Sequence, residues 1–428
     1  MKETWYGTFM GAVTGNALGG PFEGMSRGHI AAHFKTITGY TDPEPALKQN
    51  MVKWKKPGLY GATSQLMIIL CHSLAAGTFN VRKFQEFVLS GAGKGETGFG
   101  IFRNPGQAEG QFIQRLKDPS LAADLRGGPP YPDASCIPLL LPLLYFFYST
   151  PETCLLRGIE LCREFSTDDD TTAGAIVFLH LLSTFMKENS MTSGAVPRAA
   201  ECTGDLSGAS GSYSSELFTL GFNPDTVFNS VGRYHRVFSS LAPGMPLRAA
   251  ESAIITAANQ FMKTPATRAT VNTPLLILPF AWYIAASHIN DPGTALFSAL
   301  HEGGHTTSLC MLTGIFCGML HRGAEWIPET LISALVNKTR ILTLGQAILT
   351  GKKYKDDISA FIESEHALTQ KSLEEYNSKL RHYKPKSKKT KSRNDQEREL
   401  SHHVVESWTK LDKAKWKKQR KKQDDQGK

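Results

Sequence analysis

Two stretches of this 428-residue chain carry side chains whose types and spacing could do chemistry. His301-Glu302-Gly303-Gly304-His305 spells H-E-x-x-H. On a continuous helix that spacing puts two imidazoles on one face to hold Zn²⁺, with the glutamate activating water. Two adjacent glycines cost such a helix about 2 kcal/mol. No third histidine follows at metzincin spacing, so a zinc hydrolase built on His301, Glu302 and His305 is the third-ranked reading. Thr167-Asp168-Asp169-Asp170-Thr171-Thr172 offers three carboxylates, but it directly precedes an apolar helical run. There Thr and Asp cap free N–H groups and complement the helix dipole, and that role is expected here. Gly91–Thr97 resembles a phosphate loop only loosely. Val88 stands where the leading glycine belongs and Gly95 where Ser/Thr belongs, so a plain loop is expected.

The elements that must position these groups read as helices. Apolar residues recur with helical spacing over 66–76, 81–90, 172–187, 246–263, 274–288, 294–302, 308–322 and 328–350. Gly, Pro and Asp clusters separate these runs, and strand-like alternation is scarce. The fold class is therefore all-α, a single packed helical domain with long loops. Gly7, Gly11, Gly15 and Gly19 recur every four residues and form one bare stripe on a helix, where a neighbouring backbone could come close. Glu23 follows just beyond, after Pro21-Phe22.

Hydrophobic residues make up 41% of the chain, enough to bury a core. Residues 379–428 hold 18 Lys/Arg against 7 Asp/Glu, so the net charge of +9 belongs to this end and the remainder sums to about −2. Phosphate or nucleic acid would be met by this basic extension, with Lys388, Lys389, Trp416, Lys417, Lys418 and Arg420 as the candidate contacts. Val404, Trp408 and Leu411 could line one short amphipathic helix within it. The boundary is placed at 365/366, giving a domain over 1–365 and an extension over 366–428. Seven scattered cysteines without a CxxC pair read as reduced, mostly buried thiols, and a cytoplasmic location is expected. The longest apolar stretches, 136–148 and 274–286, are too short to span a membrane, so no membrane partner is expected.

Three segments together resemble the ADP-ribosylglycohydrolase family. Gly11-Ala-Val-Thr-Gly15-Asn16-Ala17-Leu18-Gly19-Gly-Pro21-Phe-Glu23 is similar to its opening Gly-x-x-x-Gly-Asp-Ala-Leu-Gly-x-Pro-x-Glu, with Asn16 in place of Asp. Gly58-Leu59-Tyr60-Gly61-Ala62-Thr63-Ser64-Gln65 resembles Gly-x-Tyr-Thr-Asp-Asp-Thr-Gln, with both carboxylates replaced. Gly303-Gly304-His305-Thr306-Thr307-Ser308 resembles Gly-Gly-Asp-Thr-Asp-Thr, again with both Asp positions changed. The likeness covers about residues 3–350 and implies an all-α hydrolase of ADP-ribosyl bonds using two Mg²⁺ or Mn²⁺ ions.

Hard dications demand oxygen ligands, largely carboxylate. Of the family's acids only Glu23 remains; Ala62, Thr63, His305 and Thr307 hold the other places. No dinuclear metal site and no cofactor are therefore expected, although Mg²⁺ is what the resemblance implies. A pocket of Asn16, Gly61, Ala62, Thr63, Ser64, Gly303, Gly304, His305, Thr306, Thr307 and Ser308 could still hydrogen-bond ADP-ribose or a nucleotide, the glycines through backbone N–H groups. The expected function is metal-free binding of such a ligand or weak hydrolysis with Glu23 as acid/base. The alternative is an inactive scaffold, or contact with nucleic acid through the tail.

Overall fold

The structure, a computed structural model, describes residues 2–47, 51–74, 79–95, 98–118, 120, 127–188, 194–208, 214–350 and 357–383. Met1–Leu380 form one compact unit and Arg381–Lys428 a second. The six candidate nucleic-acid contacts and the 404–411 helix lie outside the described residues.

Among the described residues there are nineteen α-helices, and the only β pairing is an isolated bridge between Ser26 and Gly303. The first six are α1 (Lys2–Gly19), α2 (Arg27–His33), α3 (Glu44–Leu47), α4 (Ala62–Leu74), α5 (Val81–Ala92) and α6 (Gln107–Lys117). Then come α7 (Leu141–Phe146), α8 (Pro151–Phe165), α9 (Asp169–Lys187), α10 (Ala195–Ser207), α11 (Ser214–Thr219), α12 (Pro224–Ser239) and α13 (Leu247–Asn259). The last six are α14 (Pro274–Ser287), α15 (Pro292–Glu302), α16 (Thr306–His321), α17 (Glu329–Ala334), α18 (Lys338–Thr350) and α19 (Ile358–Tyr383). The all-α reading holds.

The helix starts follow local chemistry. Asn80, Asp168 and Asn223 accept backbone N–H bonds at the starts of α5, α9 and α12, and proline opens α8, α12, α14 and α15. Asp168 thus caps α9, as its sequence position predicts, taking the Thr171 N–H at 2.8 Å.

Helices α1, α14 and α16 are buried on nearly every side, which is why their apolar residues are not confined to one stripe. The glycine stripe explains how α1 and α16 approach. A Cβ placed on Gly11 would lie 2.2 Å from the Gly314 carbonyl oxygen, and one on Gly15 2.1 Å from that of Cys310. Backbone meets backbone along this seam, and the seam sets the distance between the loops that follow α1 and precede α16.

Two boundaries differ from expectation. The run 328–350 forms two helices, α17 and α18, because Asn337 adopts φ +65° and donates its side-chain amide to Tyr60 and Glu365. A long-range contact overrides local periodicity there. Helix α19 runs without interruption across residue 366, where the sequence reading begins the extension. Its residues Phe361, Ile362 and Glu365 are fully buried.

Candidate functional site

Glu23 and His305 are brought together by two glycine turns. Gly303 and Gly304 adopt φ +67° and +75° between α15 and α16, a backbone that favours glycine. Both are also sterically confined. A Cβ at Gly303 would fall 2.5 Å from the Met25 oxygen, and one at Gly304 2.3 Å from Thr270 Oγ1. The Gly24 N–H donates to the Gly304 carbonyl at 2.9 Å and the Gly304 N–H to the Met25 carbonyl at 2.7 Å, locking the two loops together.

In this register His305 Nδ1 lies 2.9 Å from Glu23 Oε1. The other oxygen, Oε2, accepts the Thr307 N–H at 2.8 Å and the Thr306 hydroxyl at 3.5 Å. Burial alone would raise the Glu23 carboxyl, but His305, Lys55 and the Thr307 bond outweigh it and bring it down to about 2. Burial would likewise lower the His305 imidazole, but the facing Glu23 carboxylate outweighs it and raises it. The first turn of α16 also presents the positive end of the helix dipole to Glu23. The result is a carboxylate–imidazolium pair with both carboxylate oxygens engaged.

Across from this pair, α4 begins at Ala62. Thr63 Oγ1 donates to Glu109 Oε1 at 2.5 Å, and Glu109 Oε2 accepts the Gly106 N–H at 2.7 Å in the capping box of α6. Burial pushes the Glu109 carboxyl up to about 7, the Thr63 and Gly106 bonds pull against that, and Asp133 and Glu23 push it further up. Asp133 is saturated by its own neighbours. It accepts the Ser135 N–H and hydroxyl at 2.8 and 2.5 Å, the Asn272 amide at 2.9 Å and the Ala108 N–H at 3.3 Å.

A cleft with about 410 Å³ of empty space, part of it open solvent, lies at this place. Of the sequence-selected residues, Gly61, Ala62, Thr63 and Thr307 line it. Asn16 and Ser64 are buried; Asn16 Oδ1 accepts the Gly61 N–H at 2.6 Å and so ties α1 to the start of α4. Thr306 and Ser308 are buried in α16. The proposed glycine phosphate cradle does not form. The N–H groups of Gly61, Gly303 and Gly304 are spent on Asn16, Leu300 and Met25. Sequence reasoning missed Lys55, Lys56, Leu59, Arg103, Asn104 and Ser372, which also line the cleft, and Glu109 and Asp133 behind it. The basic run Lys53-Trp54-Lys55-Lys56 directly before Pro57-Gly58 was the available signal; Arg103 and Ser372 had none.

The H-E-x-x-H string does not build a zinc site. Helix α15 ends at Glu302, so His301 and His305 do not share a helix face. Glu302 is an ion-pair partner of Arg27 and Arg248. The phosphate-loop likeness at 91–97 also dissolves, since α5 runs through Ala92 and Gly93 caps its end.

The family model for ADP-ribosylglycohydrolase matches residues 2–357. The chain belongs to the ADP-ribosylglycohydrolase family. A solved structure of an ADP-ribosylglycohydrolase-related protein complex is similar in fold, with a TM-score of 0.50 at 15% identity, covering 82% of this chain and 98% of that one. No curated protein matches.

The family implies a dinuclear Mg²⁺ centre, and the donor set of this ADP-ribosylglycohydrolase homologue does not fit one. Glu23 already carries a cation on one oxygen and an N–H on the other. Ala62 has no donor atom, Thr63 is committed to Glu109, and His305 is turned to Glu23, whose carboxylate favours the imidazole's proton. Glu109 and Asp133 are close enough to influence one another, but each is bound by its own hydrogen-bond donors. Among the described residues no three His, Cys, Asp or Glu side chains gather as a metal-holding set. No helix among them is long and apolar enough to cross a membrane, and the seven cysteines are unpaired and buried.

Proposed function

We propose that this protein is a metal-independent binder of ADP-ribose or a related nucleotide, built on a glycohydrolase fold whose metal chemistry has been replaced. The supporting observation is the Glu23–His305 pair. The one family carboxylate that remains is neutralised by a side chain of the same chain, so the site is electrically complete without a dication. A cleft persists beside that pair, and family membership makes an ADP-ribosyl ligand the natural candidate.

Among the described residues no carboxylate lines the cleft, and Glu109 behind it is bound by Thr63 and Gly106, which supports binding over hydrolysis. Glu23 is a weak base when held near 2, because a group that far below the working pH takes a proton poorly. Calorimetry with ADP-ribose, once in Mg²⁺ and once in EDTA, tests the reading. Equal affinity in both is expected, with no ADP-ribose released from an ADP-ribosylated protein. Binding that requires Mg²⁺, or Mg²⁺-dependent release, would overturn it.

A further inference from the structure

We infer that the cleft recognises its ligand through a phosphate group seated on Lys55. The inference deepens the reading above and rests on the same cleft. Three cations line this cleft, Lys55, Lys56 and Arg103, and no carboxylate does. Two of the three are already neutralised by α19. Arg103 forms a buried 2.6 Å pair with Glu365, and its other nitrogens donate to the Tyr60 carbonyl at 2.9 Å and the Thr369 hydroxyl at 3.1 Å. Lys56 pairs with Glu375.

Lys55 is different. Among the described residues no carboxylate lies within ion-pair distance of its ammonium, although it is half-buried. Its nearest acid influence is Glu23, and that charge is already met by His305. Burial and the like charge of Lys53 both press on this ammonium and lower its affinity for the proton. A partly dehydrated cation without an ion-paired carboxylate, and which shares Glu23 with His305, gains most from an anion that enters the cleft, since Coulomb attraction strengthens as water is excluded. Thr307, Asn104 and Ser372 supply polar atoms around the same space. Asn104 holds φ +49°, an uncommon backbone for a residue other than glycine.

Helix α19 lies beyond the 2–357 match to the family. It contributes Ser372 to the cleft wall and takes up the charge of the two flanking cations. It thereby leaves one ammonium without an ion-paired carboxylate among the described residues. Recognition then passes from a metal-held ribose to a lysine-held phosphate.

Titration of the full chain in EDTA with inorganic pyrophosphate, ADP and ADP-ribose tests this. All three should bind and compete with one another. Lys55→Ala should weaken each by about tenfold or more, and Lys55→Arg should retain binding, both variants keeping the wild-type melting temperature. Pyrophosphate that fails to bind, or binds Lys55→Ala as well as the wild type (as contact with the basic extension alone would), overturns the inference. ADP-ribose binding that ignores Lys55 removes the phosphate assignment and leaves the proposed function standing. Lys55-dependent binding of pyrophosphate and ADP without ADP-ribose does the reverse.

Discussion

The Glu23–His305 pair can be weighed by a double-mutant cycle of Glu23→Gln, His305→Gln and the double variant. The carboxyl falls from 4.5 to about 2. At about 1.36 kcal/mol per pKa unit the whole environment is worth about 3 kcal/mol at neutral pH. His305 shares that sum with Lys55 and the Thr307 N–H. The side chains are 23% and 39% exposed, so solvent screens part of it. A coupling of about 1–2 kcal/mol is what remains for the pair. Its pH dependence has two limits. Glu23 is lowered, so its contribution is present above 4.5 and is lost as pH falls toward about 2. His305 is raised, so its contribution is complete below 6.5 and is lost as pH rises through its higher folded value. Urea unfolding of the four proteins at pH 6 and pH 9.5 measures the coupling and its alkaline limit. The coupling should be full at pH 6 and smaller at pH 9.5, as the raised imidazole gives up its proton. A coupling under about 0.5 kcal/mol at pH 6, the usual scatter of independent sites, refutes the ion pair. So does the same value at both pH levels.

Three further outcomes follow from the packing. Glu365→Gln leaves the buried Arg103 guanidinium without its counter-charge and should cost about 3–5 kcal/mol in chemical denaturation; a loss under 1 kcal/mol would mean that α19 is not anchored there. Gly11→Ala drives a methyl into the Gly314 backbone and should cost about 3 kcal/mol or more, whereas Gly28→Ala, with open space around it on α2, should be neutral or slightly stabilising by thermal melt. Equal effects would deny the α1–α16 seam. Glu109 is raised from 4.5 to about 7, so its contribution is complete below 4.5 and is lost as pH rises through 7. The stability of Glu109→Gln measured from pH 5 to 8 should be flatter than that of the wild type, by up to about 3 kcal/mol, and parallel curves would exclude a protonated Glu109.

Much of the architecture was legible in the residues. Apolar spacing located α4, α5, α9 and α13 to α16, though not α8, α10 or α12; the four-residue glycine stripe foretold a close helix contact, and Asp168 declared itself as a cap. These are local effects, governed by backbone sterics and by hydrogen bonds between near neighbours. The break at Asn337 was not legible, since its cause is a contact with Tyr60 and Glu365.

For the site, the sequence by itself determined which acids are missing and that Glu23 survives. Composition alone disfavours two dications in such a place. Only the tertiary structure decided what replaces them. It set His305 against Glu23, turned Glu302 toward Arg27, and used α19 to neutralise Arg103 and Lys56 while leaving Lys55 without an ion-paired carboxylate among the described residues. Charge balance in a cleft is a sum over groups far apart in the chain, and no reading of neighbours along the sequence can perform that sum.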